Sequence, residues 1–209
     1  VFDSGDHWRL SFICDIKGEA TSPKRYTYVF GSNDLLYRTP IERFNFLKEK
    51  GIIIGNENGE LNLYNTITRA EFLTMLSRSF KWDTNEKDAL FYDIKNHWAK
   101  DIIMKAYRLG IIKGYPDNTV KPEQTITYEE MLRIALRSMG ASDNDITREK
   151  SIFALSSYAK LLPQHSAFSS NETVLRNKAC HVIYNLLNTD ITGEDIKNYT
   201  PKAEYYLGN

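Results

Sequence analysis

The sequence predicts a mainly α-helical chain that repeats one helix–loop–helix unit. Three observations carry this. Ile102, Ile103, Ala106 and Tyr107 recur at helical spacing, and Met131, Leu132, Ala135, Leu136 and Met139 do so again further on. Between them lies a glycine-bounded turn, Gly110-Ile111-Ile112-Lys113-Gly114-Tyr115-Pro116-Asp117. The same pattern then returns elsewhere in the chain. Two short helices cannot bury both their apolar stripes alone, so repetition is what such a unit requires.

A shift of 59 positions, without a gap, lays Gly51-Ile52-Ile53-Ile54-Gly55 on the glycine turn and Ile67-Thr68-Arg69-Ala70-Glu71 on Ile126-Thr127-Tyr128-Glu129-Glu130. A shift of 90 lays Asp3 and His7-Trp8 on Asp93 and His97-Trp98. The offsets differ by 31, so the first copy carries an insertion at roughly residues 9–39. A degraded third copy follows. Ile152, Phe153 and Leu161-Leu162 match the first helix, and Val174-Leu175-Arg176-Asn177-Lys178 matches the second helix start.

The residues Phe-x-Asp, His-Trp-Ala, Gly-Ile-Ile-x-Gly-Tyr-Pro-Asp and Ile-Thr-Arg-Ala-Glu-Phe together resemble the S-layer homology (SLH) module, usually found in threes. On this resemblance the modules span 1–87, 88–140 and, degenerate, 141–190, with a tail at 191–209. It implies a pseudo-threefold trimer of helix–loop–helix modules around a central helical bundle. It also implies a secreted location, on the cell wall or S-layer of a Gram-positive-type bacterium. The function implied is anchoring, by binding an anionic secondary cell-wall polysaccharide, often pyruvylated, in grooves between modules. No cofactor is implied.

Composition excludes other classes. Lys plus Arg equals Asp plus Glu at 27 each, which argues against a nucleic-acid binder. No apolar run reaches the length of a membrane span. The chain opens at Val1 with no signal-peptide pattern, so a secreted location rests on the resemblance alone. Two cysteines, Cys14 and Cys180, make no disulfide framework; two buried thiols are expected in preference to one bridge.

In chain order, His7 and Trp8 are expected at or just before a helix start, His7 as a capping or hydrogen-bonded residue. Trp8 and Trp98 read equally as core wedges or as indoles presenting an edge to a sugar. Within the insertion, Arg25-Tyr26-Thr27-Tyr28-Val29-Phe30 alternates like a strand. Its first half fits either a strand or a helical turn with Trp8, Phe12 and Ile16 on one face, and a small β-hairpin is the favoured reading. From Pro40 a helix begins, with Ile41, Phe44 and Leu47 as its buried stripe and Gly51 as its C′ residue.

Thr68 and Glu71 form a capping box, as do Thr127 and Glu130. Arg69 stands between the first pair, free of capping duty and expected to point outward beside a helix N-terminus. There it could hold a carboxylate bidentately or bridge to a neighbouring module; the resemblance favours ligand. The second copy has Tyr128 at this position. The third keeps Arg176 but lacks the capping pair and the glycine turn, so fewer than three working grooves are expected. The preferred groove combines Arg69 and the Gly55 turn with Asp93 and Trp98. Gly114, Tyr115, Arg176, Trp8 and Asp3 complete the ligand-binding candidates.

Catalytic machinery is not expected. Cys180 and His181 project about 100° apart on a helix, poor geometry for a nucleophile and its base. The loop from Asp117 has Lys121 where an EF-hand needs an oxygen and Tyr128 where it needs Glu, so no metal is expected. The alternative function is a protein–protein scaffold that has lost its sugar, reaching a partner through the insertion.

Overall fold

The computed structural model describes residues 7–14, 24–31, 40–82, 90–146, 152–162 and 169–199. The chain divides into two compact units, Val1–Thr39 and Pro40–Asn209. In the first, strand β1 (His7–Cys14) pairs antiparallel with β2 (Lys24–Gly31), His7 opposite Gly31 and Cys14 opposite Lys24. His7 and Trp8 therefore lie in a strand, not at a helix start. The alternation of Trp8, Leu10 and Phe12 with Arg9 and Ser11 has a strand's period of two, and it outweighs the helical spacing of Trp8 and Phe12.

The second unit is helical. Its elements are α1 (Pro40–Glu49), α2 (Arg69–Phe80), α3 (Lys100–Arg108), α4 (Tyr128–Ser138), α5 (Ile152–Tyr158), α6 (Arg176–Asn188) and α7 (Gly193–Asn198), with a 3-10 turn at Tyr92–Ile94. Helix α1 starts on Pro40, where a missing N–H costs nothing. Its stop is Gly51, at φ +68°, and Gly110 after α3 has φ +73°. The chain then drops Ile52-Ile53 and Ile111-Ile112 into the core, each at most 5% exposed.

The three helix starts are tied in a closed ring of backbone hydrogen bonds. Ile67 N–H donates to Val174 O (3.1 Å), Val174 to Ile126 O (2.9 Å), and Ile126 back to Ile67 O (3.0 Å). Side chains of Ile67, Ile126 and Val174 are fully buried at this ring. Helix packing follows the same circulation: α1 packs on α6, α3 on α2 and α5 on α4, while α2 and α4 both contact α6. Each glycine-turn helix thus lies against a helix from a neighbouring stretch.

One expectation about α1 is revised. Leu47 is buried and Phe44 packs against the core, but Ile41 is 70% exposed. Contact with α6 comes from Arg43, Phe44 and Phe46, which meet the rings of His181 and Tyr184, so the first turn carrying Ile41 stands clear. Cys180 is a free, buried thiol on α6, and burial raises its pKa to about 12. Helix α7 carries a capping box the sequence reading missed, Thr192 with Asp195.

Candidate functional site

Thr68 and Glu71 cap α2 reciprocally: Glu71 Oε2 accepts the Thr68 N–H at 2.8 Å, and Thr68 Oγ1 accepts the Glu71 N–H at 3.2 Å. Thr127 and Glu130 do the same for α4. Leu175 offers no such side chain to α6. The next two amides of each helix donate to a neighbouring strand of chain. Arg69 and Ala70 bond Gln124 O and Pro122 O; Tyr128 and Glu129 bond Glu172 O and Ser170 O; Arg176 and Asn177 bond Asn65 O and Leu63 O. These N-terminal donors are used up internally, so any anion here must be held by side chains.

A cleft of about 280 Å³ lies where the start of α6 meets the loop after Gly55, with Gly55, Asn56, Glu60, Asn65, Glu71 and Arg176 among its lining. Arg176 reaches it with a side chain only 15% exposed. Its Nη1 stands 3.6 Å from Glu71 Oε1, and Nη2 donates to Ile54 O at 3.3 Å. Its buried Nε finds no hydrogen-bond partner among the described residues. Gly55 shapes the loop: a Cβ there would lie 2.5 Å from the Gly59 carbonyl carbon, so only glycine permits this approach. Asn56 turns back on its own loop, its Oδ1 accepting from Asn58 N and Glu60 N.

Arg69 is not outward-facing. It is 8% exposed, with Nη1 3.7 Å from Glu130 Oε1 and its guanidinium 5.7 Å from the Tyr115 ring centroid. The expectation failed because N1 lies against the loop of the neighbouring stretch, a partner that helical periodicity does not reveal. Tyr115 donates its OH to the same Glu130 oxygen at 2.9 Å, and Lys121 Nζ sits 4.3 Å from the centroid of the same ring. Burial, then the bond to Glu130, raises the Tyr115 pKa. At the start of α4, in the position equivalent to Arg69, Tyr128 is 3% exposed, its pKa raised by burial and by Glu172.

The expected grouping is therefore redrawn. Arg69 meets the loop holding Gly114 and Tyr115, whereas the Gly55 turn meets Arg176. Asp93 accepts from the amides of Val120 and Lys121 (2.8 Å to the latter), pinning that loop. A Cβ on Gly114 would collide with the Phe91 ring at 2.2 Å, so Gly114 serves packing. Trp98 is 61% exposed and donates Nε1–H to Glu123 Oε1 at 3.2 Å, fixing its plane. His97 Nδ1 accepts from Ala99 N, so Nε2 carries the proton towards Glu123, 2.6 Å away. Asp3 lies outside the described residues, and of Trp8 only its place in β1 is described. Glu71, Asn56, Glu60 and Asn65 were missed as cleft residues. Glu71 was absorbed by its capping role and Asn56 by a turn sequence, while Glu60 and Asn65 belong to no motif.

Among the described residues no group of three His, Cys, Asp or Glu side chains could hold a metal, and no helix is long and apolar enough to cross a membrane. Asp117 Oδ1 is taken by the N–H and hydroxyl of Thr119, the local turn its sequence suggests.

Comparison with known proteins finds relatives over about half of the chain. The chain is 34% identical over 99 residues to the "Middle cell wall protein" of Brevibacillus brevis, covering 45% of this chain and 9% of that protein. It is 33% identical over 101 residues to an "Endoglucanase" of a Bacillus species (48% and 11%). With a "Cellulosome-anchoring protein" of Acetivibrio thermocellus the identity is 32% over 100 residues (45% and 22%). The chain thus spans between about a tenth and a fifth of the length of these relatives. The family model of the S-layer homology domain matches residues 90–132, from the stretch before the 3-10 turn through the capped start of α4. The chain contains an S-layer homology domain at residues 90–132.

Proposed function

We propose that the chain is a non-catalytic cell-wall anchor at a Gram-positive-type cell surface, made of three S-layer homology modules about a pseudo-threefold axis. The modules run 1–87, with the strand pair as an insertion, 88–140 and 141–190, with 191–209 as a tail. The ring through Ile67, Ile126 and Val174 and the circular helix packing support this reading. The ligand is an anionic secondary cell-wall polysaccharide, pyruvylated sugars among its candidates. Its acidic group is held by Arg176, and its hydroxyls by Glu60, Glu71 and Asn65.

The observation that carries the proposal is the cleft beside Arg176 in a chain bearing an S-layer homology domain. Relatives named for cell-wall and cellulosome anchoring support the same class of partner. The test is co-sedimentation with cell walls before and after the polysaccharide is stripped from peptidoglycan. Binding is expected to vanish on bare peptidoglycan, and pelleting that persists there overturns the ligand class. Arg176→Ala, losing one charge-assisted contact, is expected to cost roughly 1.5–3 kcal/mol, on the order of tenfold to a hundredfold in Kd. Arg108→Ala, an exposed arginine on α3, leaves binding unchanged; equal losses remove Arg176 from the site.

A further inference from the structure

Two seams carry an arginine, and they share a backbone plan. Arg69 and Arg176 each sit two residues after a ring residue, Ile67 or Val174. Each has a buried Nε with no hydrogen-bond partner among the described residues, and each faces a glutamate at the next helix start, at 3.7 Å and 3.6 Å. The loops opposite match as well. Asn56 N–H bonds Glu60 O at 2.9 Å and Tyr115 N–H bonds Thr119 O at 2.8 Å; Gly59 and Asn118 then return their amides to Asn56 O and Tyr115 O.

What differs is the side chain that follows the glycine. Asn56 curls onto its own loop and leaves the cleft beside Arg176. Tyr115 crosses its seam, lays its ring by the Arg69 guanidinium and donates a hydrogen bond from its hydroxyl to Glu130. A phenol doing this uses the contacts a sugar would make: a flat apolar face by the guanidinium and a hydroxyl on the carboxylate. We infer that this position decides which seam admits glycan: Asn56 keeps the Arg176 seam open, while Tyr115 occupies the Arg69 seam as a built-in substitute for ligand.

This inference rests on the anchoring reading and deepens it: of the two described seams that carry an arginine, one admits glycan. The experiment is calorimetric titration of the full chain with a short oligosaccharide fraction released from cell walls. Wild type is expected to bind one equivalent. Tyr115→Asn is expected to bind two, the second abolished by adding Arg69→Ala, and Asn56→Tyr is expected to lose at least tenfold in affinity. Far-ultraviolet circular dichroism verifies the fold of each variant; should Tyr115→Asn not fold, Tyr115→Ser carries the same expectation, and Asn56→Phe likewise replaces Asn56→Tyr. Wild type that binds no fragment overturns the anchoring reading itself. Wild type that binds, with Tyr115→Asn still at one equivalent or Asn56→Tyr at full affinity, overturns the gate alone.

Discussion

His181 lies on α6 with the Phe44 ring 5.5 Å away and Arg43 and Lys178 nearby. Burial first, then the positive charge of Arg43 and Lys178, lowers its pKa from 6.5 to about 4. The unfolded chain takes up this proton near pH 6.5, whereas the folded chain resists it until about pH 4. Its neutral burial therefore carries no penalty above pH 6.5, and stability is lost as pH falls from there through 4. Urea midpoints measured at pH 7 and pH 5 should fall for wild type and fall less for His181→Gln; equal declines would show that other groups govern the loss. No such behaviour could be read from a lone histidine next to a cysteine. The shift depends on α1 crossing α6, a contact between residues far apart in sequence. Asp143 is the surface counterpart: hydrogen bonds from Lys113 and then Arg137 hold its pKa down to about 2, clasping the turn after α3 to the end of α4.

At the scale of elements, the helix starts are the most local devices and were the most legible. Thr127 caps α4 through its hydroxyl while Glu130 caps Thr127 in return. Thr127→Ala should lower stability by about 1 kcal/mol, read as a lower urea midpoint with an unchanged slope. A drop several times larger would mean that Glu130, freed from its capping bond, has also lost its hold on Tyr115. Three residues of spacing suffice to see such a cap in a sequence. The burial of Arg69 was not visible by the same means, because the residue that covers it, Tyr115, belongs to another loop. For the same reason helical periodicity identified Leu47 correctly and Ile41 wrongly: the stripe is a property of α1, but where the stripe is covered is a property of α6. The glycine stops at Gly51 and Gly110 were readable, since a left-handed backbone demands that residue locally.

For the second unit as a whole, the ring at Ile67, Ile126 and Val174 joins helix starts that are separated by long stretches of chain. Ile126 is fully buried there, and Ile126→Ala should cost about 2–5 kcal/mol. Because each ring member both donates to one neighbour and accepts from the other, native-state hydrogen exchange should show α2, α4 and α6 losing protection together in this variant. Exchange confined to α4 would mean the three starts open separately. The helix stops and caps were legible from glycines and capping residues, but which loop faces which arginine was not. Chain order suggested Arg69 with Gly55; the circular packing gives Arg69 the loop of Tyr115 and gives Gly55 the guanidinium of Arg176. Arg176 and Ile54, which touch in the cleft, are 122 positions apart. No single stretch of sequence therefore owns this cleft. A change inherited in the loop after Gly55 alters a partner encoded far downstream, so that loop and the start of α6 can change only together.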